Sequence, residues 1–418
     1  MINNTTRQTA PRRELWLLLT LAGIQFTHIL DFMIMMPLGP QFTQLFNITG
    51  AQFGLLVSAY TLAAGASGLV ASAYIDRFGR KRLLLVLYSL FALATLACGL
   101  APTYASLMFA RIAAGIFGGV LSALSQTIVG DVIPFERRGR AMGIVMTAFS
   151  PASVAGVPAG LFLAAHWGWH APFFAIAALS ALFAVFAAVT LPALTGHLQG
   201  SQSSSAMGRI GSVLGDINHL KAFAFSALLM FAGFTTVPYL AMNLQFTVGL
   251  KSEELPYVYL FGGAATLLTA RWIGRLSDSW GKVASLRLLA GLSIPVLLAT
   301  TLMPPGMPLW LVLSISTLFM IVMSGRMIPG MAITTSAANP ALRGTFMSLN
   351  SAVQSAGMGV AAFVGGSLIS RAPNGQLQNY WMTAVVGGMA SLAAIWLVGR
   401  LDLRISAQNA AKPSSWTA

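Results

Sequence analysis

The chain has 418 residues, 56% of them hydrophobic and 8% charged, with a formal net charge of +14. A soluble domain carries about 25% charged residues, so this composition excludes a water-soluble fold, and the basic balance, which in a soluble protein would suggest nucleic acid, is read here as the Lys and Arg of cytoplasmic loops. A single cysteine, Cys98, excludes an intrachain disulfide and a cysteine-based metal cluster.

Several apolar runs exceed the ~18–20 residues that a helix needs to cross a bilayer. They are continuous rather than alternating, so helices are expected and barrel strands are not. Residues 1–13 form a polar tail with Arg7, Arg12 and Arg13. The first apolar run is too long for a signal-peptide core and has no small-residue cleavage site, so it is expected to remain. Spans are expected at 14–39, 50–75, 83–100, 104–133, 141–165 and 169–193. After a linker over 194–219 come 220–247, 255–277, 284–302, 307–336, 345–369 and 378–401, followed by a tail over 402–418. The organisation is therefore all-α and membrane-embedded, with twelve spans in a six-helix bundle over 14–193 and another over 220–401. The linker carries Gly200-Ser201-Gln202-Ser203-Ser204-Ser205, a flexible composition. Its second part spaces Ile210, Val213, Leu214 and Ile217 as a helix does, which fits either a short surface helix or a plain tether.

The distribution of basic residues sets the orientation. Of 24 Lys and Arg, only Lys251 and Arg371 fall in loops on the outer side, while Arg111 and Arg326 lie within spans. The rest cluster at one side, which is expected to place both termini in the cytoplasm and makes the number of spans even.

A charged turn, Asp76-Arg77-Phe78-Gly79-Arg80-Lys81-Arg82, lies between the second and third spans. Asp278-Ser279-Trp280-Gly281-Lys282 repeats it 202 residues later, close to half the chain. Glu136-Arg137-Arg138-Gly139-Arg140 is echoed by Leu342-Arg343-Gly344, with Arg343 205 residues beyond Arg138. Recurrence at half the length indicates a duplicated unit, and two parallel halves with a site between them is a known transporter plan.

Over nearly its whole length the chain resembles the major facilitator superfamily. That family's loop between spans two and three reads Gly-x-x-x-Asp-Arg-x-Gly-Arg-Lys; here Ser72 stands for the first glycine, followed by Asp76, Arg77, Gly79, Arg80 and Lys81. The second copy keeps Gly274, Asp278 and Gly281 and has Ser279 for the arginine. Arg111-Ile-Ala-Ala-Gly115, followed by Gly118 and Gly119, resembles the family's proton-linked motif. Gly156-Val157-Pro158-Ala159-Gly160 resembles its antiporter signature, with Val157 interrupting the usual Gly-Pro pair, and Asp31 to Pro37 resembles efflux members. The resemblance implies a proton-coupled exporter of small amphiphilic molecules, drug-like compounds or sugars. It also implies that Asp76, Arg77, Gly79, Arg80, Asp131, Glu136, Arg138, Gly274, Asp278, Gly281 and Arg343 latch the halves on the cytoplasmic side. The runner-up is a proton symporter importing a solute, and a non-transporting sensor stands behind it.

Asp31 is the only acid well inside a span. An ionisable group there is expensive and marks function by default. Burial opposes its charge and a neighbouring arginine favours it. Arg111 lies at similar depth, so the two are expected to pair, and His28 lies one turn before Asp31 on the same face. A proton-coupling set of Asp31, Arg111 and His28 competes with a static salt bridge between spans one and four. Arg326 requires either a cavity or carbonyl partners beside Pro329. Tyr60, Tyr239, Asn243, Asn350 and Gln354 are polar groups in apolar runs, suited to a substrate cavity or to gluing helices together. Gly115, Gly156, Pro158 and Gly160 suit close helix approach and bending.

His166 and His170 have the i, i+4 spacing of a metal pair, but no carboxylate or thiolate is near and Trp167 and Trp169 make an interfacial aromatic belt the expectation. No metal, cofactor, nucleotide site or catalytic constellation is read here. The expected partners are a small substrate, protons and lipid, with the proton gradient as energy source and a monomer as the unit.

Overall fold

The computed structural model describes residues 11–192 and 206–403. Nearly all of them are helical. α1 (Pro11–Ile34), α2 (Gly39–Leu45), α3 (Gly50–Tyr74), α4 (Arg80–Gly99), α5 (Tyr104–Val132) and α6 (Phe135–Met146) come first. They are followed by α7 (Phe149–Pro151), α8 (Val157–Trp167) and α9 (His170–Thr190). The second half holds α10 (Ala206–Leu214), α11 (Ile217–Phe234), α12 (Leu240–Asn243), α13 (Leu255–Trp280) and α14 (Lys282–Thr301). It continues with α15 (Leu309–Gly325), α16 (Met327–Ala337), α17 (Arg343–Leu368) and α18 (Tyr380–Val398). One short hairpin, β1 (Ser370–Arg371) with β2 (Leu377–Gln378), joins α17 to α18.

Among the described residues, ten helical segments are long and apolar enough to cross a membrane. α13 and α17 bring the crossings to twelve, each with 26 residues. At 1.5 Å per residue each spans about 39 Å, more than the ~30 Å hydrocarbon core. Their composition hides them: α13 ends in Arg271, Arg275 and Asp278, and α17 carries Asn350, Gln354 and a run of small residues.

Prolines explain where the crossings break. The first expected span, 14–39, is helical only to Ile34; a turn over 35–38 follows, and α2 starts at Gly39 with Pro40 in its first turn. Pro37 and Pro40 donate no backbone N–H, and Pro37 disfavours the α region for Met36 before it. Between Pro151 and Pro158 the fifth crossing relaxes into a π-helical turn over Ala152–Gly156, where the i→i−4 ladder has lost two donors. Pro238 divides the seventh crossing at Val237–Tyr239, where the Thr236 carbonyl accepts from Tyr239 N at 3.1 Å and from Tyr380 Oη at 3.0 Å. Pro329 sits just past the α15–α16 break at Arg326.

The expected linker over 194–219 lies outside the described residues up to 205. Beyond it α10 is a packed helix: Val213 is fully buried in the core of the second half, while Leu214 is exposed. The seventh crossing starts at Ile217, three residues before the expected 220, because Asp216 caps it by accepting from Asn218 N at 2.9 Å.

The apolar cores divide the molecule lengthwise. Call the end where α1 starts and α18 finishes the terminal end. At the opposite end one continuous core joins both halves, running through Ile34, Phe42, Phe53, Val57 and Leu161 to Tyr239, Val258, Phe319 and Ala362. Toward the terminal end it splits in two. One core, with Leu21, Tyr60, Leu84 and Leu124, belongs to the first half; the other, with Phe225, Leu286, Ile333 and Phe346, belongs to the second.

The halves meet along two helix pairs, α3 against α17 and α8 against α13. On α3 a Cβ at Gly50 would stand 3.1 Å from the Gly366 carbonyl, and one at Gly54 would stand 2.6 Å from the Ala362 carbonyl. Ser58 Oγ donates to the Gly359 carbonyl at 2.6 Å. On α13 a Cβ at Gly263 would stand 3.0 Å from the Ser153 carbonyl of the π turn. Small residues let these backbones touch. Gly143, Gly274 and Gly344, nearer the terminal end, have open space where a Cβ would be.

Candidate functional site

The site lies where the shared core gives way to the two separate ones. α1 brings His28, Asp31 and Phe32; α3 brings Tyr60; α4 brings Thr95 and Cys98; α5 brings Arg111. Asp31 and Arg111 are both fully buried, and Arg111 Nη1 donates to Asp31 Oδ2 at 2.8 Å. Thr95 Oγ1 donates to the other carboxylate oxygen at 3.2 Å. The guanidinium lies over the Tyr60 ring, 4.2 Å from its centroid, a cation–π contact that is strongest when desolvated. Cys98 is buried one turn from Thr95 on the same helix. Each charge alone would be prohibitive in this setting; paired and hydrogen-bonded they are tolerated.

Glycines on α5 make the room. A Cβ at Gly115 would stand 2.5 Å from the Tyr60 carbonyl, and one at Gly118 would stand 2.5 Å from His28 Cδ2. Arg111, Gly115 and Gly118 therefore present one face of α5 to α1 and α3, as the i, i+4, i+7 spacing requires. His28 stands 6.1 Å from Tyr60 and 5.8 Å from Phe91 between ring centroids. Phe32 stacks on Tyr60 at 5.5 Å and on Phe234 of the second half at 6.1 Å. Those rings carry an aromatic bridge from one half to the other.

The other residues singled out from sequence are spread across the molecule. Arg326 is 1% exposed, with Nη2 donating to the Leu229 carbonyl at 3.0 Å and Nη1 to Ser391 Oγ at 3.3 Å. It packs across Gly233, so its neighbours are carbonyl and hydroxyl oxygens. Tyr239 donates to the Ala362 carbonyl at the seam between the halves. Asn243 Nδ2 donates to the Thr300 carbonyl at 3.4 Å. On α17 Asn350 is buried and Gln354 partly buried. Gly156 and Gly160 receive Leu30 and Ile34 of α1, and Pro158 between them is buried.

At the terminal end Gly79 caps α4 in an extended conformation. Arg80 is nearly fully buried; its Nε donates to Asp131 Oδ2 at 2.9 Å and its Nη1 to the Ile75 carbonyl at 2.8 Å. This pair ties α4 to α5 within the first half. Arg77, Asp278 and Arg343 are exposed, and Gly281 turns the chain into α14 with φ 90°. The side chains of Asp76, Glu136 and Arg138 lie outside the described residues. His166 Nδ1 bonds the Phe162 carbonyl at 2.9 Å and His170 Nδ1 bonds that of Gly99. Among the described residues no group of three His, Cys, Asp or Glu is placed to hold a metal.

Thr95 and Phe32 were not foreseen. One hydroxyl in an apolar run and one phenylalanine among 25 carry no sequence signal of their own. The only available cue is that Thr95 and Cys98 share a face of α4 by their spacing.

Twelve helical crossings in two halves, joined at one end over a buried ion pair, define a multi-pass membrane transporter. The Major Facilitator Superfamily model matches residues 21–362, and the chain belongs to that family. It is 24% identical over 362 residues to the uncharacterized MFS-type transporter YceJ of Bacillus subtilis, covering 85% of this chain and 89% of that one. It is 30% identical over 164 residues to Multidrug resistance protein 2 of Bacillus subtilis, covering 38% of this chain and 41% of that one. Among solved structures it is similar to a D-xylose-proton symporter, with TM-score 0.75, 16% identity and coverage of 94% of this chain and 99% of that one. A bacterial homologue of the human lysosomal transporter Spinster, in an inward-facing and occupied conformation, gives TM-score 0.72, 18% identity and coverage of 95% and 99%. These structural likenesses establish the fold.

Proposed function

We propose that the protein is a proton-coupled secondary transporter that exports small amphiphilic molecules by alternating access, with Asp31 as the proton-binding group. The observation that carries this reading is the fully buried Asp31–Arg111 pair at the head of the division between the halves. When Asp31 takes a proton, Arg111 loses its counter-charge in a medium where an unpaired charge is costly. The guanidinium must then find another partner, and the α1–α5 contact changes with it. Tyr60 and Phe32 link that contact to Phe234 of the other half, so the protonation state biases how the halves pack.

Basic residues concentrated at the terminal end support its cytoplasmic placement in a bacterial inner membrane. In that orientation the two halves share one apolar core toward the outside and keep separate cores toward the cytoplasm, as alternating access with the outer side closed would require. One proton crossing 100 mV releases ~2.3 kcal/mol, enough to shift a two-state equilibrium about 50-fold. No cofactor enters this mechanism, and the monomer suffices for it. Export is supported by the π turn between Pro151 and Pro158, which seats the α8–α13 seal, and by the partial likeness to a multidrug resistance protein.

Purified protein in proteoliposomes under an imposed pH gradient, with internal pH and substrate followed together, tests the reading. Substrate and proton are expected to move in opposite directions. Movement in the same direction would replace export by symport, and no proton movement with any transported substrate would end the proton-coupled reading.

A further inference from the structure

Among the described residues, eleven buried side-chain polar atoms have no hydrogen-bond partner, and six of them sit on four neighbouring residues. They are Gln25 Oε1, both ring nitrogens of His28, Tyr60 Oη, and Arg111 Nε and Nη2. Buried polar groups are normally satisfied, because each orphan costs ~1–3 kcal/mol. Here orphans gather on one side of one ion pair. Gln25 and His28 share a face of α1, His28 and Tyr60 are ring neighbours, and Tyr60 lies under Arg111. Arg326 in the other half has both terminal nitrogens bonded to protein oxygens and leaves only Nε without a partner.

We propose that Gln25, His28, Tyr60 and Arg111, beside the rings of Phe32 and Phe234, recognise an uncharged aromatic molecule bearing carbonyl or hydroxyl oxygens. This rests on the transport reading above and names its substrate class. The free groups are mostly donors: the Arg111 N–H groups, the Tyr60 hydroxyl and one N–H of neutral His28. Their complement is a ligand rich in oxygen acceptors, with Gln25 Oε1 and the second His28 nitrogen available for a hydroxyl. Charge narrows the class. With Asp31 ionised the pair is neutral overall, so a carboxylate would meet Asp31 as an unpaired anion, and a quaternary cation would meet Arg111. The rings of Tyr60, Phe32 and Phe234 stack on one another, so an aromatic ligand would meet their edges, the edge-to-face arrangement that aromatic pairs favour.

The test uses three probes on one phenol ring, 4-hydroxyacetophenone, 4-hydroxybenzoate and 4-hydroxyphenyltrimethylammonium. Binding to the full-length protein in lipid nanodiscs is measured by saturation-transfer NMR at neutral pH with no gradient. The neutral ketone is expected to bind at least about tenfold more tightly than either ion. Tyr60→Phe keeps the ring and should weaken the ketone about fivefold, the worth of one neutral hydrogen bond. Asp31→Asn leaves Arg111 without its counter-ion and should strengthen the carboxylate at least about tenfold. A cation that ranks first, a ranking unmoved by Asp31→Asn, or no binding of any probe would overturn the assignment. Because binding is read without a gradient, a failed probe ranking and a failed proton coupling are separate results.

Discussion

Asp31 is held by two side chains, and its value depends on both. Arg111 neutralises it and Thr95 fixes its second oxygen. Asp31→Ala strands a buried guanidinium and is expected to destabilise the protein by about 3–5 kcal/mol. Asp31→Asn keeps a hydrogen-bonding group for Arg111 and Thr95 and should cost clearly less; thermal unfolding in detergent of the two variants against wild type checks the order. Gly118 supplies the space that His28 and Tyr60 occupy, so Gly118→Val should abolish transport while protein still reaches the membrane. Gly130→Ala, on the same helix with open space around it, should leave transport unchanged in the same assay. Asp31 and Arg111 were legible in the sequence because a charge inside a long apolar run is conspicuous. Thr95 and Phe32 were not, because their significance comes only from which helix packs against α1.

Elements are decided by backbone donors as much as by hydropathy. Every expected crossing has a helix, yet the breaks at Ile34, Ala152–Gly156, Val237–Tyr239 and Arg326 come from proline or its neighbours. Hydropathy marks ten crossings more strongly than α13 and α17, whose charged and small residues interrupt the apolar run. These two helices form the seams between the halves, where small and polar residues serve packing better than large apolar ones. At Gly54 and Gly366 a side chain would collide with the facing backbone and with Tyr239. Gly54→Val or Gly366→Val should therefore force α3 from α17 at the opposite end. Spin labels placed across that seam, in a background where Cys98 is replaced by serine, should report a longer distance than in the parent. Gly344→Ala, with open space, should leave it unchanged; equal distances in all three variants would show that the seam is not a packing contact.

At the scale of the whole molecule, the arrangement of cores is the feature that the sequence did not disclose. Composition, periodicity and the half-length repeat yield twelve helices in two related halves. They do not tell which ends touch, since two packings of the same bundles bury similar apolar area. The structure shows one packing, with a core shared at one end and split at the other. Alternating access requires the converse packing as well, and Arg80 illustrates how a charged residue can serve both. Its bonds to Asp131 and the Ile75 carbonyl lie within one half, so they survive when the halves move.

Proton coupling through Asp31 is the claim on which the mechanism turns. The most direct measurement compares Asp31→Asn with wild type in proteoliposomes, following one transported substrate in two modes. The account predicts that the variant still exchanges substrate down its own gradient, at a rate within about tenfold of wild type, yet fails to accumulate it against a gradient when a pH difference is imposed. Accumulation by the variant equal to that of wild type would contradict it.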